Sequence, residues 1–150
     1  MTKRERATEL FMLGYSCAQS VAGAFCEETG IDFNTMMKLS CGFGGGMGRL
    51  REVCGAVSGM FIITGLLYGY GSPEDLEAKK LSYADIQSLA LRFKEQNGSY
   101  ICRELLSLPS NTSDSPVPEP RTAEYYNNRP CKNLIGDAAE ILEHFIEHHK

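Results

Sequence analysis

Val53-Cys54-Gly55-Ala56-Val57-Ser58-Gly59-Met60-Phe61-Ile62-Ile63-Thr64-Gly65-Leu66-Leu67-Tyr68-Gly69-Tyr70 is the stretch on which the fold turns. It is apolar apart from Ser58, Thr64 and its glycines. Its length approaches the roughly 20 residues that a bilayer span needs. Four glycines interrupt it, however, and amphipathic segments flank it on both sides. Glycines let neighbouring helices approach closely, which suits a buried core helix. The reading is therefore one central helix over about 53–70, with the other helices packed around it.

Outward from that core the signals are helical. Residues 3–13 carry apolar Ala7, Leu10, Phe11 and Leu13, and Gly14 stops the helix. Ser16-Cys17-Ala18-Gln19 has the form of a capping box, which predicts a helix to about Glu28, ended near Gly30. Asp32 caps a short helix through about Ser40. Residues 42–48 are too rich in glycine for a helix interior and predict a tight turn that lets helices close on one another. Ser72 and Pro73 predict the start of a helix that runs to about Gln96. Ser99 caps a short one to about Leu106. Residues 107–123 read as a Ser/Pro-rich loop, and Pro130 opens a last amphipathic helix to about His148. No alternating strand pattern persists. The expectation is an all-α, compact, multi-helix single domain spanning 1–150.

The chain has 150 residues and a net charge of −4, with no basic stripe, which argues against nucleic acid as a partner. The charged start of the sequence, with no apolar run behind it, leads us to expect no signal peptide and a cytoplasmic location. The sequons at Asn97 and Asn111 would then carry no glycan. In a reducing compartment, grouped cysteines serve redox chemistry or metal binding more often than structure.

The six cysteines are at 17, 26, 41, 54, 102 and 131, with no C-x-x-C. Laid on the predicted helices, Cys17, Cys54, Cys102 and Cys131 each fall in a first turn, Cys102 at the third position after Ser99. There the helix dipole and unpaired N–H groups favour a thiolate. Cys26 falls late in a helix and reads as packing. Cys41 abuts the glycine turn and is open to either role. Arg49 and Arg51 could supply positive charge beside Cys54, while Gly55 and Gly59 would let other helix ends come near it.

The ordered set of motifs resembles a known family. The matching stretches are Gly14-Tyr15-Ser16-Cys17-Ala18-Gln19, Phe43-Gly44-Gly45-Gly46-Met47-Gly48, Cys54-Gly55-Ala56-Val57-Ser58-Gly59, Cys102-Arg103-Glu104-Leu105-Leu106, and Cys131-Lys132 with the closing helix. Together they are similar to the redox-active proteins of bacteria and archaea named for a C…CGAxxG…C…C cysteine pattern. The resemblance implies that Cys17, Cys54, Cys102 and Cys131 are the signature cysteines. It also implies a redox role without a firmly assigned substrate, and genomic proximity to transporters. Related sequence in split-Soret cytochromes, which carry an iron–sulfur centre besides haem, adds a mild expectation of a homodimer. The absence of C-x-x-C-H argues against covalent haem.

Three functions follow as expectations. The first is a thiol–disulfide oxidoreductase in which Cys17, Cys54, Cys102 and Cys131 converge, working with an unidentified redox partner. The second is zinc or iron–sulfur binding through the same four thiolates. The third is a non-catalytic module associated with a transporter. A separate motif, His144-Phe145-Ile146-Glu147-His148, matches the inverted zinc-protease pattern but lacks the further ligand that catalysis would need.

Overall fold

The computed structural model describes residues 1–109 and 115–149. It is all-α: the described residues form helices, with a single isolated β-bridge between Val53 and Ile101. The helices are α1 (Lys3–Met12), α2 (Cys17–Gly23), α3 (Cys26–Thr29), α4 (Phe33–Ser40), α5 (Gly44–Met47), α6 (Gly55–Tyr68), α7 (Leu76–Asn97), α8 (Cys102–Leu105), α9 (Ala123–Asn127) and α10 (Cys131–His148). A 3₁₀ turn, Cys41–Phe43, precedes α5.

The apolar stretch forms α6, and its first two turns are the centre of the core. Ala56, Val57, Met60 and Ile63 are fully buried there. Further along, the helix emerges, and Leu66 is exposed. No helix among the described residues is long and apolar enough to cross a membrane. Helix α2 lies against α6 at very short range. A side chain at Gly59 would put its Cβ 2.9 Å from that of Val21, and one at Gly55 would come within 3.0 Å of the Cys17 Cβ. Helix α1 packs on α10, where Arg4 pairs with Asp137 at 2.5 Å and with Glu140 at 2.8 Å. Helix α7 covers α6 and α10 through buried Leu89 and Phe93.

Four boundaries differ from the sequence expectation, each for a local reason. The second predicted helix breaks at Ala24–Phe25, so Cys26 begins a new short turn instead of ending a long helix. The break sends the Phe25 ring into the core, fully buried, and the Lys3 Nζ takes the freed Ala24 carbonyl at 2.9 Å. Helix α7 starts at Leu76 because Asp75 is the better cap: its carboxylate accepts the Ala78 N–H at 2.9 Å. Ser72 and Pro73 instead form a turn ahead of it. Helix α8 starts at Cys102, not just after Ser99. Ser99 accepts the Ile101 N–H and donates to Glu104. Within the expected loop at 107–123, residues 110–114 lie outside the described residues, and so does the sequon at Asn111. At the end of that loop Thr122 caps α9, which the sequence reading did not foresee.

The glycine turn is a turn, as expected, and an unusual one. Gly45, Gly46, Met47, Gly48 and Arg49 all take positive φ, as does Arg51. A non-glycine residue in this region is disfavoured by roughly 1–2 kcal/mol. The turn is held by contacts with the site described next.

A cysteine cavity fed by four helix starts

Four backbone starts bring the signature cysteines together. Cys17 is the first residue of α2, directly after Ser16, whose capping box with Gln19 is complete. Cys131 opens α10 after Pro130, and Cys102 opens α8 after Ile101. Cys54 is itself the N-cap of α6. The bridge at Val53–Ile101 ties the last two together: the Cys54 N–H donates to Tyr100 O at 2.8 Å, and the Cys102 N–H to Glu52 O at 2.6 Å. Gly46 completes the closure, since a Cβ there would fall 2.7 Å from the Cys102 Cβ and 2.8 Å from the Arg51 Cα.

Cys17, Cys102 and Cys131 line a cavity of about 270 Å³. Cys54 is buried behind it, close enough to feel the charge of Cys17 and to act in turn on Cys131. All six cysteines are free thiols.

First-turn placement does not by itself make a thiolate here. The Cys17 thiol is pushed well up, first by sharing its proton with Cys131 and then by burial. Burial also raises Cys54 and Cys102, the latter against the pull of Arg51. Cys131 alone of the four moves down, because the Cys17 thiol hydrogen-bonds to its charged form, and this overcomes the burial that opposes it. The sequence expectation of a shared downward shift therefore gives way to one favoured thiolate with a proton-donating neighbour.

The cations are also redistributed. Arg49, expected to support Cys54, reaches across the mouth instead: its Nε donates to Ser115 O at 2.8 Å, and its guanidinium lies 3.9 Å from Glu119. Arg51 is buried and donates to Cys102 Sγ at 3.7 Å. Two further arginines were not anticipated. Arg129 pulls the pKa of Cys131 and of Cys102 down by its charge and pairs with Glu119 at 2.5 Å. Arg121 binds the Phe11 and Tyr15 carbonyls and lies 5.0 Å over the Tyr125 ring. The adjacency Arg129-Pro130-Cys131 was the available signal for the first. The second was hidden in what reads as a linker.

Gly55 and Gly59 do what was expected of them, admitting Cys17 and Val21 of α2 to close contact. Cys41 lies at the cavity edge, exposed, with its thiol 3.2 Å from the Lys38 carbonyl. Cys26 is outside the cavity, and burial raises it.

A single tetrahedral zinc at about 2.3 Å from each sulfur would hold the sulfurs about 3.8 Å apart. Among the described residues no three cysteine sulfurs lie within 4.8 Å of one another. The thiol arrangement therefore does not fit a mononuclear ion. The ligand atoms of His144, Glu147 and His148 do meet that limit, but all three side chains are exposed at the end of α10.

The fold and cavity define a helical protein that gathers buried and half-buried thiols around a set of arginines. A family model described as putative redox-active protein (C_GCAxxG_C_C) matches residues 15–145, and the chain belongs to that family. No curated protein and no solved structure gives a significant match.

Proposed function

We propose that the protein is a thiol–disulfide oxidoreductase whose working pair is Cys131, as nucleophile, and Cys17, as resolving thiol. The observation that carries this reading is geometric: Cys17 and Cys131 open α2 and α10 and line one cavity, with Arg129 beside Cys131 favouring its charged form. The Cys131 thiolate attacks one sulfur of a partner disulfide. That S–S bond breaks, and the outer sulfur leaves as a thiolate. Cys17 gives its proton to the leaving sulfur and then attacks Cys131 Sγ. The mixed disulfide breaks, the second partner sulfur departs as a thiolate, and the Cys17–Cys131 pair is oxidised by two electrons. Buried Cys54 and Cys102 shape the pocket, and Cys102 also accepts from Arg51.

Mild oxidation followed by non-reducing peptide mapping tests the assignment. The expected product is a Cys17–Cys131 disulfide, absent in Cys131→Ser. A dominant Cys54–Cys102 bond, or no disulfide at all, would sink it.

A second reading is iron–sulfur binding through Cys17, Cys54, Cys102 and Cys131. It is favoured by the approach of all four from separate backbone starts, since a cluster places each thiolate on a different iron and needs wider spacing than one ion. Visible absorption with stoichiometric iron and sulfide after anaerobic purification would put this reading in place of the first.

A further inference from the structure

The charge in the cavity is unbalanced. Arg51 is only 7% exposed, lines the cavity and, among the described residues, makes one side-chain hydrogen bond, to a thiol. No carboxylate pairs with it among the described residues. A buried guanidinium without a counter-charge is costly, so this is not an incidental resting place for one. Its backbone is held at φ 62°, a conformation an arginine adopts only when its surroundings impose it. Burial keeps Cys102 as the neutral thiol, so that residue does not supply the missing charge.

The arginines at the mouth already hold a carboxylate, that of Glu119, between Arg129 and Arg49. The segment that carries it contributes Pro116 and Pro118 to the same lining. A space of about 270 Å³ beneath such a cover admits a small molecule and not the disulfide loop of a folded protein.

We propose that the oxidant received by this site is a small-molecule disulfide bearing carboxylates, one of which pairs with Arg51 while its sulfur meets Cys131. This rests on the thiol–disulfide reading and adds the substrate class to it. The electron flow is the one already given: the small disulfide is cleaved to two thiols, and Cys17 and Cys131 become the disulfide.

The test uses two alkylating probes of nearly equal size, anionic iodoacetate and neutral iodoacetamide. Their rates at Cys131 are read by peptide mapping in the native and the urea-unfolded protein. The iodoacetate-to-iodoacetamide ratio should rise about tenfold on folding, as expected for one nearby unscreened charge. Arg51→Met should remove that gain and Arg51→Lys should retain most of it. No gain in the native protein, or a gain that survives Arg51→Met, overturns the proposal. If Arg51→Met does not fold, protection of Cys131 decides. Succinate should suppress the iodoacetate reaction at lower concentration than sulfate, and the reverse order would reassign the site to an inorganic oxyanion and overturn the carboxylate assignment. Alkylation needs a thiolate but no electron transfer. A protein that keeps the charge preference yet forms no Cys17–Cys131 disulfide would sink the redox reading and leave the anion site standing.

Discussion

Cys131 and Cys54 both stand at the start of a long helix, yet they end with opposite acidity. That the four cysteines open helices was legible in the residues around them: Ser16 before Cys17 and Pro130 before Cys131 are strong local signals. That burial would outweigh the dipole at Cys54 and Cys102, and the hydrogen bond with Cys131 would do so at Cys17, was not legible, because both depend on which elements meet at each sulfur. Cys131 should therefore be the fastest of the six thiols toward iodoacetamide at neutral pH, with its rate rising through a midpoint below the ordinary thiol value. Cys17→Ala, which removes the hydrogen bond, should move that midpoint up. Stopped-time alkylation with mass spectrometry reads both. A contrast between two glycines follows from the same close quarters. Gly46→Ala combines positive φ with contacts of 2.7–2.8 Å to Cys102, Arg51 and Glu52, and should cost about 2–5 kcal/mol. Gly48→Ala, with its nearest neighbour at 3.9 Å, should cost only the backbone strain, about 1–2 kcal/mol. Urea denaturation separates the two.

Among the helices, α1 was readable from its apolar periodicity, α4 from its Asp32 cap, and α6 from its apolar run although no side chain caps it. The misread ones turn on competition. Ser72 and Asp75 both offer a cap three residues apart, and the Asp75 carboxylate wins by accepting the Ala78 N–H at 2.9 Å, where Ser72 reaches only the Glu74 N–H at 3.4 Å. Phe25 breaks a pattern that would otherwise continue, because its ring gains more by entering the core. The packing of α2 on α6 makes a sharp prediction about helix glycines. Gly65 has open space where a Cβ would sit, so Gly65→Ala should stabilise by about 1 kcal/mol through helix propensity. Gly59→Ala gains the same propensity but meets Val21 at 2.9 Å and the Ala18 carbonyl at 3.1 Å, and should come out net destabilising by about 1 kcal/mol. Thermal unfolding followed by circular dichroism should show melting temperatures that move in opposite directions.

The protein as a whole should carry a pH signature set by its thiols. Cys17, Cys26, Cys54 and Cys102 are raised in the folded chain, so above about pH 9 the unfolded chain loses those protons first and stability falls as pH rises. Cys131 is lowered, so between its folded value and about pH 9 it adds stability with rising pH, and that contribution is lost as pH drops through the folded value. The reduced protein should be most stable on the alkaline side of neutrality and weaken steeply above about pH 9. Chemical denaturation across pH 6–10 under reductant measures this. A curve that keeps climbing past pH 9.5 would contradict the burial of the thiols. The all-α architecture and the gathering of the four signature cysteines were both expected from the sequence. The arginines around the cavity were not, because Arg121 reaches it from the Ser/Pro-rich stretch that reads as a loop, and Arg129 was passed over beside Pro130.

The run of positive φ from Gly45 to Arg49 has a stereochemical consequence. It is a backbone that L-residues resist and their mirror images prefer. A D-alanine in place of exposed Gly48 would sit in its own relaxed region and would reduce the freedom of the unfolded chain, for a gain of about 0.4–1 kcal/mol. Cys41 and Cys54 flank this segment, so a short synthetic peptide spanning it can be joined to the rest of the chain by ligation at cysteine. Handedness at one position thus becomes a chemical handle on the turn that positions Arg51, adjustable without changing any cysteine or arginine of the cavity.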